Sequence, residues 1–441
     1  MSTNPENNDA SPATAVGGRP LPRRWLAVVA TVWVGFAFTS FASMAANYAA
    51  VWYVTESTGS PLALAFVYVC AFLPVGLLSP LGGVMADRFN RKRIIIVCDL
   101  FIAAVALIMG TCIALGHVSL ELILVLVCAC GVGQAFRTPA FNSAMPLMVP
   151  EKHLLRINML DNLLGSFSMI AAPALGIFLY TTIGFQAVLF LNAAGALASV
   201  AAMLFARIPT VVSEETVKQS ARQNVVEGWR ALVSNKGLLA LVLAVVLGMM
   251  AYGPIDSILP LMVASHFGGD GYMASLVTAV FGIGMLAGSL ALMARGDASR
   301  LTRVIVVAAL AVGAATTVGG LLPSGLFPAF VVAMGLMAVA CAWFNGPLMT
   351  LLQKNVAEDK LGRVMGLLSA LMGLGIPLGT ALGGALAEGI GVTSFFVVDG
   401  VFILGIGIVA ALLPSVKALD AAETTEDVAP VEREKPLPAV K

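Results

Sequence analysis

Long apolar stretches make up most of the chain, and short polar or charged clusters punctuate them. Each stretch runs about 20 residues or more, the length an α-helix needs to cross a hydrocarbon core about 30 Å thick. The breaks predict twelve such helices: about 25–54, from Pro61 to a charged cluster at 82–93, 94–115, 119–144, 158–182, 185–206, 237–265, 271–294, 302–322, 326–350, 362–387 and 393–414. The runs are too long and too uniform for membrane β-strands, which alternate over about ten residues. The expected fold is therefore an all-α membrane protein. Residues 1–24 form a polar tail, 25–206 an N-terminal bundle of six helices, 207–236 a polar central linker, 237–414 a second six-helix bundle and 415–441 an acidic, proline-containing tail. Both tails read as disordered.

Charge adds orientation. Of the 441 residues, 59% are hydrophobic and 11% charged, against about 45–50% and 25% in average chains. The 25 Lys and Arg residues fall in the tails, the central segment, or the loops after the second, fourth, eighth and tenth helices and the helix ends beside them. The odd-numbered loops carry none. By the positive-inside rule both termini and the central segment are cytoplasmic, and the chain is a multi-pass protein of the cytoplasmic membrane. No basic side chain is expected deep in any helix. The net charge of +1 gives no reason to invoke nucleic acid. All six cysteines lie inside apolar runs and read as packing residues; no metal site is expected.

One cluster is dense enough to be a motif. GGVMADRFNRKR, residues 82–93, joins Gly83, Asp87, Arg88, Arg91 and Lys92 with the spacing G-x-x-x-D-R-x-x-R-K. This resembles the loop between the second and third helices of the major facilitator superfamily, with Asn90 where the family usually has Gly; Asn, like Gly, tolerates a left-handed backbone. The halves also repeat. RTPAFNSAMPLMVPEKHLLRINML in the first half matches NGPLMTLLQKNVAEDKLGRVMGLL in the second, and ARGDASRLTR is a worn copy of the motif. Two such halves suit a two-bundle transporter. WYVTESTGSPLALA, AFRTPAFNSAMPLMVPE, NKGLLAL and LGRVMGLLSALMGLGIPLG resemble the superfamily branch of macrolide-efflux pumps and the enterobactin exporter. The resemblance covers about residues 25–414. It implies two pseudo-symmetric six-helix bundles and proton-coupled export of bulky, partly apolar compounds by a monomer, with the proton gradient rather than a cofactor as energy source. Two features depart from the pattern: no basic residue lies between Glu121 and Arg137 in the fourth helix, and Ala172-Pro173-Ala174-Leu175-Gly176-Ile177 keeps half of the fifth-helix kink motif. Export of a native metabolite or siderophore, and a transport-inactive sensor or scaffold on the same fold, are the alternatives. The absence of deep cations speaks against an anionic siderophore. The chain has no G-x-x-x-x-G-K-[ST] phosphate loop and no catalytic constellation, so it does not read as an enzyme.

Residue roles follow partly from resemblance and partly from the physics of charge in membranes. By resemblance, Gly83, Asp87, Arg88 and Arg91 form a cytoplasmic latch. Asp87 would face the start of the eleventh helix near Gly362–Gly366, and Arg91 would pair with Glu151 or Asp161. Proton coupling needs a carboxylate that is buried neutral and released charged. Asp256, between Pro254 and Pro260 in the seventh helix, is the first candidate. Asp99 is the second, although its place near the basic loop favours an ion pair with Arg91, Lys92 or Arg93. Asp399 and Glu388, toward the outer ends of their helices, read as solvated. In this fold the first, fourth, seventh and tenth helices line the cavity. They offer Trp33, Phe36, Asn47, Gln134, Tyr252, Trp343, Phe344 and Asn345, an aromatic and amide surface suited to a large amphipathic substrate.

Overall fold

The structure, a computed structural model, describes residues 14–15, 19–20, 25–205, 221–295, 301–356 and 358–416. The expected tails, apart from three short pieces, and residues 206–220 of the chain lie outside that set, as do the side chains of Asp87 and Glu151 and the surroundings of Gly362. The described residues form thirteen helices: α1 Trp25–Thr58, α2 Pro61–Arg88, α3 Arg91–Ala114, α4 Leu120–Met148, α5 Glu151–Thr182, α6 Phe185–Phe205, α7 Ala221–Ser234, α8 Lys236–Ser265, α9 Gly271–Arg295, α10 Leu301–Leu321, α11 Phe327–Asn355, α12 Glu358–Ile390 and α13 Val392–Leu412. Twelve are long and apolar enough to cross a membrane. The exception is α7, a helix inside the segment read as a linker. A two-residue ladder, β1 Thr14–Ala15 with β2 Arg19–Pro20, precedes α1.

Short caps fix where the spans begin. Ser60 accepts from the Ala63 N–H at 3.2 Å and Pro61 occupies the first turn of α2, where no N–H is needed. Ser119 caps α4 and Asn235 caps α8 in the same way. Asn90 gives the motif's departure a different explanation from the expected one. Its φ is −65°, not left-handed, and its side chain accepts from the Lys92 and Arg93 N–H groups at 3.0 and 3.4 Å. Asn stands there as the cap of α3.

Helices α1–α6 pack together as one bundle and α8–α13 as the other, with α2 against α12 and α5 against α9 joining them. Close crossings depend on small residues, and many serve the prolines. A proline inside a helix leaves the carbonyl four residues back without its N–H partner; in a membrane that carbonyl must be met by a neighbouring helix. Pro74, Pro139, Pro254 and Pro377 free the carbonyls of Cys70, Ala135, Met250 and Gly373. Each of these carbonyls lies against a glycine of another helix: Gly131, Gly82, Gly379 and Gly76 respectively. A Cβ on Gly76 would sit 2.6 Å from the Gly373 oxygen, and one on Gly379 would overlap the Met250 carbonyl. Gly379→Ala therefore requires α8 and α12 to separate, and is expected to lower stability by about 1–3 kcal/mol. Gly248→Ala in α8 meets open space and is expected to stay within about 0.5 kcal/mol. Thermal unfolding of the two detergent-purified variants checks the contrast.

Candidate functional site at the bundle interface

Two ends can be defined by charge: a cation-free end carrying the turns after α1, α3, α5, α8, α10 and α12, and a cation-rich end carrying the motif and α7. In the cation-free half the buried apolar side chains of both bundles merge into one core. In the cation-rich half they divide into two, one per bundle. The hydrogen bonds seen between bundles gather in the cation-free half. Glu388 of α12 accepts from Ser60 Oγ at 2.7 Å and from the Leu62 N–H at 3.2 Å, while Thr181 and Tyr272 share a bond of 2.9 Å. The face of α5 that meets α9 at Ile170, Ile177 and Thr181 continues toward the cation-rich end as Phe167, Leu163 and Met159, which are 60%, 61% and 57% exposed. The bundles thus meet at the cation-free end and part toward the other.

Asp256 lies where the closed half begins. Pro260 frees the Asp256 carbonyl, and Tyr68 of α2 reaches across the interface to donate to it at 3.4 Å. Tyr48, Tyr68 and Tyr252 are all near enough to interact electrostatically with the Asp256 carboxyl. Tyr48 shares a 3.5 Å contact with Thr278 of α9, and Tyr252 packs on Phe281 with ring centroids 6.0 Å apart. One carboxyl is therefore framed by phenols from both bundles. These phenols can donate hydrogen bonds to a carboxylate and cannot neutralise it.

A second charged site was not expected. Arg137 of α4 is fully buried, with Nε 2.6 Å from Asp99 Oδ1 of α3. Its other nitrogens donate to Ser40 Oγ and to the Phe36 carbonyl of α1, each at 3.3 Å, and its guanidinium lies 4.2 Å from the centre of the Phe36 ring. Ser199 of α6 donates to Asp99 Oδ2 at 2.6 Å. Four helices of the first bundle are pinned by this cluster. The expectation that Asp99 pairs with the basic loop is thereby corrected, as is the expectation that no cation lies deep. The reason is local: α4 continues through Pro139 and Pro146 to Met148, so Arg137 sits three turns inside the helix rather than near its end.

The remaining sequence candidates scatter. Arg91 donates to Ser143 Oγ at 3.2 Å, and Asp161 accepts from the Trp33 indole N–H. Gly83 is half-buried and Arg88 exposed. Phe36 stacks on Phe141 within the first bundle. Asn47 is exposed and Gln134 half-buried, whereas Trp343 donates to the Gly288 carbonyl at 2.9 Å and Asn345 to the Cys341 carbonyl at 3.1 Å. Phe344 packs beside the apolar core of the second bundle's cation-rich half. Asp399 is not solvated: it is 8% exposed and its Oδ2 has no hydrogen-bond partner. Its neighbour Gly400 lets α10 approach so closely, at Gly313 and Thr317, that the carboxyl is covered. Glu388 is exposed but engaged. Glu388→Ala removes a cap-like pair of bonds, and is expected to raise the population opened at the cation-free end about fivefold, for about 1 kcal/mol. Spin-label distances between the α1–α2 and α12–α13 turns measure it.

Twelve spans in two bundles, closed around a central acid at one end and parted at the other, define a multi-pass membrane transporter of the major facilitator fold. The chain belongs to the transmembrane secretion effector family of that superfamily, whose profile matches residues 20–436. It is 31% identical over 397 residues to macrolide efflux protein A of Streptococcus pyogenes, covering 90% of this chain and 98% of that one. It is 26% identical over 390 residues to the multidrug efflux pump Tap of Mycolicibacterium fortuitum, covering 84% and 92%. Among solved structures, a bacterial homologue of the lysosomal transporter Spinster, in an inward-facing and unoccupied conformation, superposes with a TM-score of 0.67 at 16% identity, covering 94% of this chain and 100% of that one. The nucleoside transporter NupG superposes at 0.66, with 16% identity and coverage of 90% and 98%. Family and fold are those of membrane transporters, not of enzymes.

Proposed function

We propose that the protein exports bulky, partly apolar compounds such as macrolides from the cytoplasm, by alternating access coupled to proton entry. The observation that carries this is an acid, Asp256, held at the closed apex of a cleft between the bundles. The names of the relatives, a macrolide efflux protein and a multidrug pump, support the substrate class. The cation distribution supports an orientation with both termini in the cytoplasm, which makes this an inward-facing state awaiting cytoplasmic substrate. Asp256 then takes a proton after the cleft opens outward and releases it when the cytoplasmic side reopens, since a charged carboxylate is costly in a dry interface. Arg137 does not supply a free cation for an anionic substrate, because Asp99 compensates it within the bundle core. By family resemblance, Asp87 at the end of α2 stabilises the opposite, outward-open state. The test is accumulation of a labelled 14-membered macrolide in a sensitive bacterial host expressing the protein. Lower steady-state accumulation that returns to the control level with a protonophore supports the reading; accumulation equal to that of cells without the protein overturns it.

A further inference from the structure

We propose that α7 is a membrane-surface helix whose free face binds the anionic phospholipid headgroups of the bilayer at the cation-rich end. One side of α7 is used by the protein. Leu232 is fully buried in the apolar core shared with α8, α11 and α12, and Glu227 forms an ion pair with Arg363 of α12. The other side is not. Val226, Trp229 and Val233 are 39%, 45% and 44% exposed, and their spacing of three and four puts them on one stripe. Beside that stripe lies the exposed Arg230.

The occupant follows from position and charge. Asn235 alone separates α7 from α8: its N–H donates to the Leu232 carbonyl at 3.1 Å, and its side chain accepts from the Gly237 and Leu238 N–H groups at 3.1 Å each. The membrane span α8 thus begins within one residue of the end of α7, which holds α7 at the edge of the hydrocarbon. The exposed Lys236 opens that span. A tryptophan between valines, flanked by cations and with its one described acid turned to Arg363, has the composition of a helix lying in the headgroup layer. Basic groups at that depth select anionic over zwitterionic lipid. Through Glu227 and Arg363, the same seat ties the cation-rich end of α12 to the bilayer surface.

The test uses the full chain in nanodiscs containing either brominated phosphatidylcholine or brominated phosphatidylglycerol at equal fractions. The chain has five tryptophans, so the signal of Trp229 is the difference between wild type and Trp229→Phe. That difference is expected to be quenched about twofold more by the anionic lipid. The preference should vanish in Arg230→Gln/Lys236→Gln, and also in wild type at high salt, which needs no variant to fold. Equal quenching by both lipids overturns the anionic selection. Absence of quenching by either overturns the membrane seat altogether; restored quenching after removal of residues 417–441 would then identify the acidic tail as the occupant.

Discussion

Arg137→Ala is expected to lower stability by about 3–5 kcal/mol, because it leaves the Asp99 carboxyl buried with no opposing charge. Asp99→Ala leaves Arg137 in the same position and should cost a similar amount. The cluster binds α1, α3, α4 and α6 through Phe36, Ser40, Asp99, Arg137 and Ser199, so the loss should be read across the whole first bundle. Replacing both charges with apolar residues of similar size, Arg137→Met with Asp99→Leu, removes the uncompensated charge and should recover much of the stability. The readout is the thermal midpoint of purified protein, singly and doubly substituted. If the double variant is as unstable as the sum of the two single ones, the pair does not act as a unit.

Asp256→Asn is expected to abolish uphill transport while leaving exchange intact. The amide has nearly the shape of the acid, its oxygen can still accept from Tyr68, and the Tyr68 bond to the Asp256 backbone carbonyl is untouched. It cannot take up and release a proton, so substrate movement becomes independent of the gradient. Macrolide counterflow, in which unlabelled drug inside vesicles draws labelled drug in, should persist near the wild-type level. Net accumulation against a concentration difference should disappear. Loss of both would point to a binding or folding defect, and retention of both would place the proton elsewhere, with Asp399 the next acid to substitute.

Much of this arrangement was written in the hydrophobic pattern. The span boundaries follow from it because a membrane helix needs a long apolar run, and Ser60, Ser119 and Asn235 mark their starts in the sequence. Asp256 stood out because it is an acid flanked by two prolines in an apolar run. What stayed hidden depends on neighbours in space. Arg137 lies two residues before Pro139 and near the expected end of the fourth helix, so it read as a helix-end cation until α4 was seen to continue through both prolines to Met148. Asp399 looked solvated because its burial comes from the closeness of α10, made possible by Gly400. The glycines facing proline-freed carbonyls were visible only as small residues. Their partners sit on other helices, some in the other half of the chain. The helical character of α7 was masked by the polar composition of its surroundings, although Val226, Trp229 and Val233 carry the period that reveals it.

The most direct measurement is uptake of a 14-membered macrolide into inverted membrane vesicles bearing the protein, with and without an imposed gradient that is acid inside. Accumulation above the external concentration that requires the gradient, and collapses when it is dissipated, is the predicted result. Equal uptake with and without the gradient would contradict proton-coupled export.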